Sequence, residues 1–165
     1  MKLTLPPFDY KLKKQNDLRM IFDVIRRKYV VITPEEWVRQ HIIHYLINYK
    51  HYPKSLLCVE KEVEINGLKR RYDLISFDRQ GRVLLVVECK APEIELSQTV
   101  FDQAFEYNVS LCAPFIAVTN GLQHFFLHKG VDGKFIVATD IPEFKKLSSD
   151  FAEPSFNNSD TSTVK

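Results

Sequence analysis

Apolar residues recur along this chain with two distinct periods, and the switches between them mark out its elements. From Thr33 to Lys50 (TPEEWVRQHIIHYLINYK) the spacing is helical, and Val38, Ile42, Tyr45, Leu46 and Tyr49 form the expected buried stripe. Thr33 suits the N-cap, Pro34 the first helical position, and Glu36 stands where a capping box needs an acid. Residues 55–65 (SLLCVEKEVEI) and 68–78 (LKRRYDLISFD) read as strands joined by Asn66-Gly67, a strong hairpin signal. Gln80-Gly81 then turns the chain into a third strand, RVLLVVECKA (82–91). Helical spacing returns over 97–111, with Ser97 as cap and Val100, Phe101, Ala104, Phe105 and Val109 apolar. APFIAVTNG and LQHFFLH supply two strands around Asn120-Gly121, KFIVATD an edge strand, and IPEFKKLSS a short helix. Before the first helix, residues 20–33 hold a strand or two.

Helix, three-strand meander, helix and further strands describe a mixed-sheet α/β domain. We expect an N-terminal arm over residues 1–19, where Pro6-Pro7 forces extended backbone, one domain over 20–148, and a polar, disordered tail over 149–165. A length of 165 residues fits one core of ordinary size. The net charge of +2 argues against a general polycation, but residues 1–32 carry eight lysines and arginines against three aspartates. That flank either faces solvent or meets phosphates, and Arg26, Arg27, Lys28, Arg70 and Arg71 are candidate contacts. Three scattered cysteines in apolar segments suit reduced, buried thiols in a cytoplasmic protein. No apolar run reaches the length of a membrane span, so no membrane partner is expected.

The chemistry concentrates at the end of the third strand. Alternation puts Leu84, Val86, Glu88 and Lys90 on one face, while Leu85, Val87 and Cys89 face the other way. Across the Gln80-Gly81 turn, Asp73 lies about as far from the turn as Glu88 does. Two neighbouring carboxylates repel unless a cation lies between them. Mg²⁺ takes one or two carboxylates together with waters and phosphate oxygens. Lys90 could then hold a water or meet developing charge, which is what phosphodiester hydrolysis requires. The plainer alternative is an ion pair of Asp73 or Glu88 with Lys90. His41 with His44, and His124 with His128, have the spacing of a metal half-site, but neither pair has a third ligand nearby.

RYD at 71–73 followed by ECK at 88–90 resembles the pattern of the PD-(D/E)XK nuclease superfamily. TPEEWVRQ (33–40) resembles the opening helix of the N-terminal nuclease domain of type I restriction enzyme R subunits, and FDQAFEYN (101–108) resembles their QxxxY motif. Tyr72 stands where the superfamily name has Pro. The resemblance implies a restriction-endonuclease-like mixed β-sheet flanked by helices. It implies Asp73 and Glu88 as ligands of Mg²⁺ (or Mn²⁺), Lys90 as the catalytic lysine and Glu36 as an assisting acid. Gln103, Tyr107 and Arg71 would touch DNA or orient the site. No GxxxxGK[ST] loop is present, so the expected function is a metal-dependent endodeoxyribonuclease module without the ATP-driven motor. A homodimer or other restriction-system subunits are the implied partners. The alternatives are a catalytically weak DNA-binding or docking module, and a phosphodiesterase acting on RNA or nucleotides.

Overall fold

The computed structural model describes residues 2–65 and 68–150. Three strands open the chain: β1 (Leu12–Gln15), β2 (Leu18–Asp23) and β3 (Lys28–Val31), paired antiparallel in that order. Helix α1 (Pro34–Asn48) follows, then a short 3₁₀ turn over Lys54–Leu56. Strands β4 (Leu57–Ile65), β5 (Leu68–Phe77) and β6 (Val83–Cys89) form the meander. Helix α2 (Gln98–Leu111) leads to β7 (Phe115–Thr119), β8 (His124–Lys129), β9 (Phe135–Ala138) and helix α3 (Phe144–Asp150).

The larger sheet has the order β4-β5-β6-β7-β8-β9. Every pair in it is antiparallel except β6 with β7. A parallel pair needs a crossover, and α2 supplies it. Alternation along the central strands then sorts the core. Leu85, Val87, Cys89, Phe115 and Ala117 pack with Val38, Ile42, Ile43 and Leu46 of α1. Ile116 and Val118 face the other way, against Val100, Phe101 and Phe105 of α2. The central strands are therefore covered on both faces, which explains why β6 and β7 read as almost unbroken aliphatic runs. This is the expected mixed α/β architecture.

Turn chemistry fixes the strand order locally. Gly81 takes φ +82° in the β5–β6 turn. There the Asp78 carboxylate accepts from the backbone amides of Gln80 at 2.9 Å and Arg82 at 2.8 Å. Asn66-Gly67 lies outside the described residues, although the flanking pair Ile65↔Leu68 is in register. At the C-terminus of α2 the Asn108 side chain bonds both the amide and the carbonyl of Ala113. Ser97 sits at the N-cap of α2 but makes no side-chain capping bond.

The beginning of the chain departs from the expected arm. Residues 12–15 form β1, joined to β2 by Asn16-Asp17, both with positive φ as a tight hairpin turn requires. Further upstream, Leu3 and Leu5 are buried, and the Thr4 amide donates to the Gly121 carbonyl at 2.9 Å. Phe8 stacks on His44 at 4.1 Å between ring centroids and meets His41 edge-on at 4.8 Å. The two histidines of α1 are thus enclosed by aromatic rings, and burial lowers the pKa of both. This segment broadens the covered face of α1: Ile43 is fully buried, whereas Tyr49 from the expected stripe is half exposed. Cys89 is buried as expected, but Cys112 is exposed. The tail expected over 149–165 lies almost wholly outside the described residues. Among the described residues no helix is long and apolar enough to cross a membrane.

Gly121 holds this N-terminal segment in place. Its φ is +82°, and a Cβ added there would come within 2.9 Å of both Leu3 methyl carbons. Gly121→Ala therefore combines backbone strain with a clash, and should cost about 2 kcal/mol in urea unfolding. Adding Leu3→Ala removes the clash, so the two changes together should cost less than the sum of their separate effects.

Candidate active site

The site lies where α1, the β2–β3 turn, the middles of β4 and β5 and the end of β6 converge. Leu74 pairs with Val87, and the next step in that register sets Asp73 opposite Glu88. Glu88 is 9% exposed, and its Oε1 accepts from the Lys90 ammonium at 2.7 Å. Burial and the neighbouring Asp73 charge raise the Glu88 pKa, and Lys90 only partly offsets them. Burial opposes the Lys90 charge, but Glu88 and Asp73 hold its pKa above the ordinary value. Asp73 Oδ1 accepts from Arg39 Nη2 at 2.6 Å, and Oδ2 accepts from the Cys89 backbone amide at 2.7 Å. Cys89 itself is buried toward α1, and burial pushes its thiol well up, as befits a core residue.

Glu36 joins this group from the first turn of α1. Its backbone amide donates to Thr33 Oγ1 at 3.0 Å, which is half of the expected capping box. The Glu36 carboxylate does not reach back to complete it. Instead Oε2 accepts from Arg39 Nη1 at 2.6 Å, and Oε1 accepts from Gln40 Nε2 at 2.8 Å and from Arg26 Nη2. The attraction of two guanidiniums outweighs a bond to a single helix-end amide.

Four residues of the site escaped the sequence reading: Arg39, Glu60, Gln40 and Asp23. Arg39 is 3% exposed and bridges Glu36, Glu35 and Asp73. Burial disfavours its charge, but the Asp73 and Glu36 carboxylates keep it ionised. Glu60 stands on β4 where the ladder passes from Val59↔Leu74 to Lys61↔Tyr72, facing Asp73. Its φ of 51° is left-handed, a costly conformation for Glu that clusters at functional sites. Glu60 Oε2 accepts from Arg26 Nη1 at 2.6 Å, and Oε1 lies 3.8 Å from Arg39. Helical spacing carried a signal for Arg39 and Gln40, which follow Glu36 by three and four residues. The left-handed backbone at Glu60 had none.

Arg26, expected among the phosphate contacts, is instead committed to carboxylates inside the protein. Arg71 is exposed and 3.9 Å from Glu60, so it remains available at the rim. The side chains of Gln103 and Tyr107 on α2 lie outside the described residues. His41 Nδ1 donates to the Trp37 carbonyl at 2.9 Å. His124 bridges Thr4 and Thr119 at 2.7 Å on each side. Neither histidine pair forms part of a metal-ligating cluster among the described residues.

The donor set can be tested against a divalent cation. Among the described residues no group of three or more His, Cys, Asp or Glu side chains is placed to hold one. Asp73 and Glu88 supply two hard carboxylates whose mutual repulsion shows in the raised Glu88 pKa. Two carboxylates suit Mg²⁺, which completes its shell with water and phosphate oxygens. They do not suit a closed structural zinc centre.

Asp23 anchors the turn that carries Arg26. It is fully buried and accepts from the Ile25 and Arg26 amides at 2.7 Å each and from Gln40 Nε2 at 2.8 Å. Burial raises its pKa, but these bonds and the Arg26 charge prevail and hold it below the ordinary 3.8. Its contribution is therefore full above about pH 4 and disappears as pH falls through the lower folded-state value. Asp23→Asn should cost about 2 kcal/mol at neutral pH. The gap between parent and variant in urea midpoints should narrow steadily below pH 4.

Comparison with known proteins now adds to this geometry. A search of curated proteins found no match. Among solved structures, the chain is similar to a fragment assigned to an HsdR subunit of a type I restriction enzyme from Vibrio vulnificus YJ016. The TM-score is 0.52 at 20% identity, over 72% of this chain. The chain spans only 26% of that fragment's length, and the likeness speaks for the fold alone. A family model described as the type I restriction enzyme R protein N terminus matches residues 34–142, from the first turn of α1 to the loop before α3. That match takes in Glu36, Arg39, Glu60, Asp73, Glu88 and Lys90, and the chain belongs to this family of R-protein N-terminal domains.

Proposed function

We propose that the chain is a metal-dependent nuclease domain that hydrolyses DNA phosphodiester bonds. One observation carries the reading: a buried Glu88 set beside Asp73, with the Lys90 ammonium 2.7 Å from it, at the end of a strand covered on both faces. Such a mount fixes polar groups rigidly where the strand leaves the core. Membership of the R-protein N-terminal family supports the same reading.

In this mechanism Asp73 and Glu88 would hold Mg²⁺, with Mn²⁺ able to substitute. When bound, the ion supplies a Lewis acid that polarises a phosphoryl oxygen and offsets charge in the transition state. Lys90 donates to the attacking water or to the developing phosphorane oxygens, and its raised pKa keeps it protonated for that role. Glu36 and Arg39 act behind this pair. Arg39 holds Asp73 Oδ1 and Glu36 Oε2 at 2.6 Å each, which fixes the Asp73 carboxylate toward the strand end. Arg71 at the rim, and Gln103 and Tyr107 on α2, would meet the DNA backbone. Other restriction-system subunits, or a second copy, are the partners this reading assigns, in a cytoplasmic setting.

A second reading has its own observation. Both Asp73 oxygens already accept from protein donors, Arg39 and the Cys89 amide. A module with that carboxylate fully engaged could bind DNA and cut poorly.

Incubating the chain with supercoiled plasmid, single-stranded DNA and RNA in Mg²⁺ or Mn²⁺ separates the readings. The nuclease reading expects DNA cleavage that Asp73→Asn, Glu88→Gln and Lys90→Met each reduce at least about a hundredfold. Parent cleavage equal to that of the three variants would sink it, and DNA binding without cleavage would favour the docking module. Mg²⁺ should also raise the melting temperature of the parent, and by less in Asp73→Asn.

A further inference from the structure

The three-stranded sheet presents a face that neither the core nor the site uses. Ile21 and Asp23 of β2 point inward and are fully buried. The alternate residues Leu18, Met20 and Phe22 therefore point outward. In register with them stand Lys13 opposite Met20, and Tyr29 opposite Phe22. The Phe22 amide donates to the Lys11 carbonyl at 2.9 Å, which extends the ladder and puts Lys11 on the same face. None of Met20, Phe22 or Tyr29 belongs to a described hydrophobic cluster. Phe22 and Tyr29 meet edge to face at 5.3 Å, and the Lys13 ammonium lies 4.5 Å from the Tyr29 ring centroid. Lys11 and Lys13 are exposed, as is Arg27 in the β2–β3 turn. The one acid in the β1–β2 turn, Asp17, is engaged with Lys14 at 2.7 Å.

We propose that this outer face of the β1–β3 sheet binds single-stranded nucleic acid, phosphates on Lys11 and Lys13 and bases against Phe22 and Tyr29. The inference rests on the nuclease reading for its substrate class and adds where the substrate lies. Aromatic rings on an open sheet accept bases of any sequence, and flanking lysines track the phosphates. Duplex DNA keeps its bases stacked inside, so it can use the lysines but not the rings. Charge complementarity favours an anionic polymer over an apolar protein surface. The face also leads to the site: the β2–β3 turn carries Arg26, which bonds Glu36 and Glu60. In the free protein Lys13 covers the Tyr29 ring, and its flexible stem can swing aside to a phosphate as a base takes its place.

Fluorescence anisotropy of the full chain with a labelled oligo-dT of about 16 nucleotides, in EDTA so that nothing is cut, tests this. Lys11→Ala with Lys13→Ala should lower the slope of log affinity against log salt by about 1.4, or 0.7 per lysine. Lys145→Ala with Lys146→Ala on α3 should leave the slope unchanged. Phe22→Leu with Tyr29→Leu keeps apolar cover but removes the rings. It should weaken oligo-dT binding at least about tenfold while duplex binding holds. Equal effects of the ring variant on duplex and single strand would overturn the proposal, as would parent affinity in both variants. Cleavage by the parent with unchanged oligo-dT binding in these variants refutes this proposal and leaves the nuclease reading standing. The reverse outcome, dependent binding with no cleavage, refutes the nuclease reading alone.

Discussion

Two guanidiniums, Arg39 buried and Arg26 partly buried, hold this molecule together at its centre of charge. Arg39 reaches from α1 to Asp73 on β5, and Arg26 reaches from the β2–β3 turn to Glu36 on α1 and Glu60 on β4. Between them they join the small sheet, the helix and the large sheet. Taking charges from water is expensive, so each carboxylate is tolerable inside only because a guanidinium meets it there. Removing one partner would strand several carboxylates at once. The network therefore sets the register of the three parts more sharply than apolar contacts alone, which tolerate sliding.

The same constraint explains the form of the candidate site. β6 is an aliphatic strand covered by α1 on one face and by α2 and its neighbours on the other, and its polar end emerges beside the arginine network. Burial, and then the Asp73 charge, raise the Glu88 pKa more than Lys90 lowers it, while Asp73 is well supplied by Arg39 and the Cys89 amide. One carboxylate is thus firmly placed and the other poorly satisfied. This imbalance, between the middle of β5 and the end of β6, is what the proposed cation would relieve. The left-handed Glu60 opposite Asp73 is strain that the surrounding ion pairs hold in place.

Helices and strands with regular patterning were legible. The capping residues of α1, the 3.6-residue period of α1 and α2 and the glycine turn at Gly81 all correspond to elements in the structure. The N-terminal segment was not legible as structure. Its prolines and lysines read as an arm, yet Leu3, Leu5 and Phe8 are tied down by Gly121 and the histidines of α1. Those partners lie more than a hundred residues away or on an already formed helix, so no local period could reveal them. The Asn16-Asp17 turn did leave a local trace, two residues that tolerate positive φ between short polar strands.

The residues alone pointed to Asp73 and Glu88 as neighbours across a short turn, roughly equally far from it, but a shift of register between Ser76 and Phe77, which the sequence does not display, sets the pairing of Leu74 with Val87 that brings them opposite. They also determined that Leu85, Val87 and Cys89 would face the core, since side chains on a strand alternate. Only the tertiary structure decided that Arg26 is committed to carboxylates inside the protein and that Arg39 belongs to the site. It alone drew the Glu36 carboxylate away from its own helix end. Which carboxylate a guanidinium meets depends on how α1 and the β2–β3 hairpin lie across the large sheet. Long-range charge in a poorly solvated interior then outweighs the local preferences that a sequence displays.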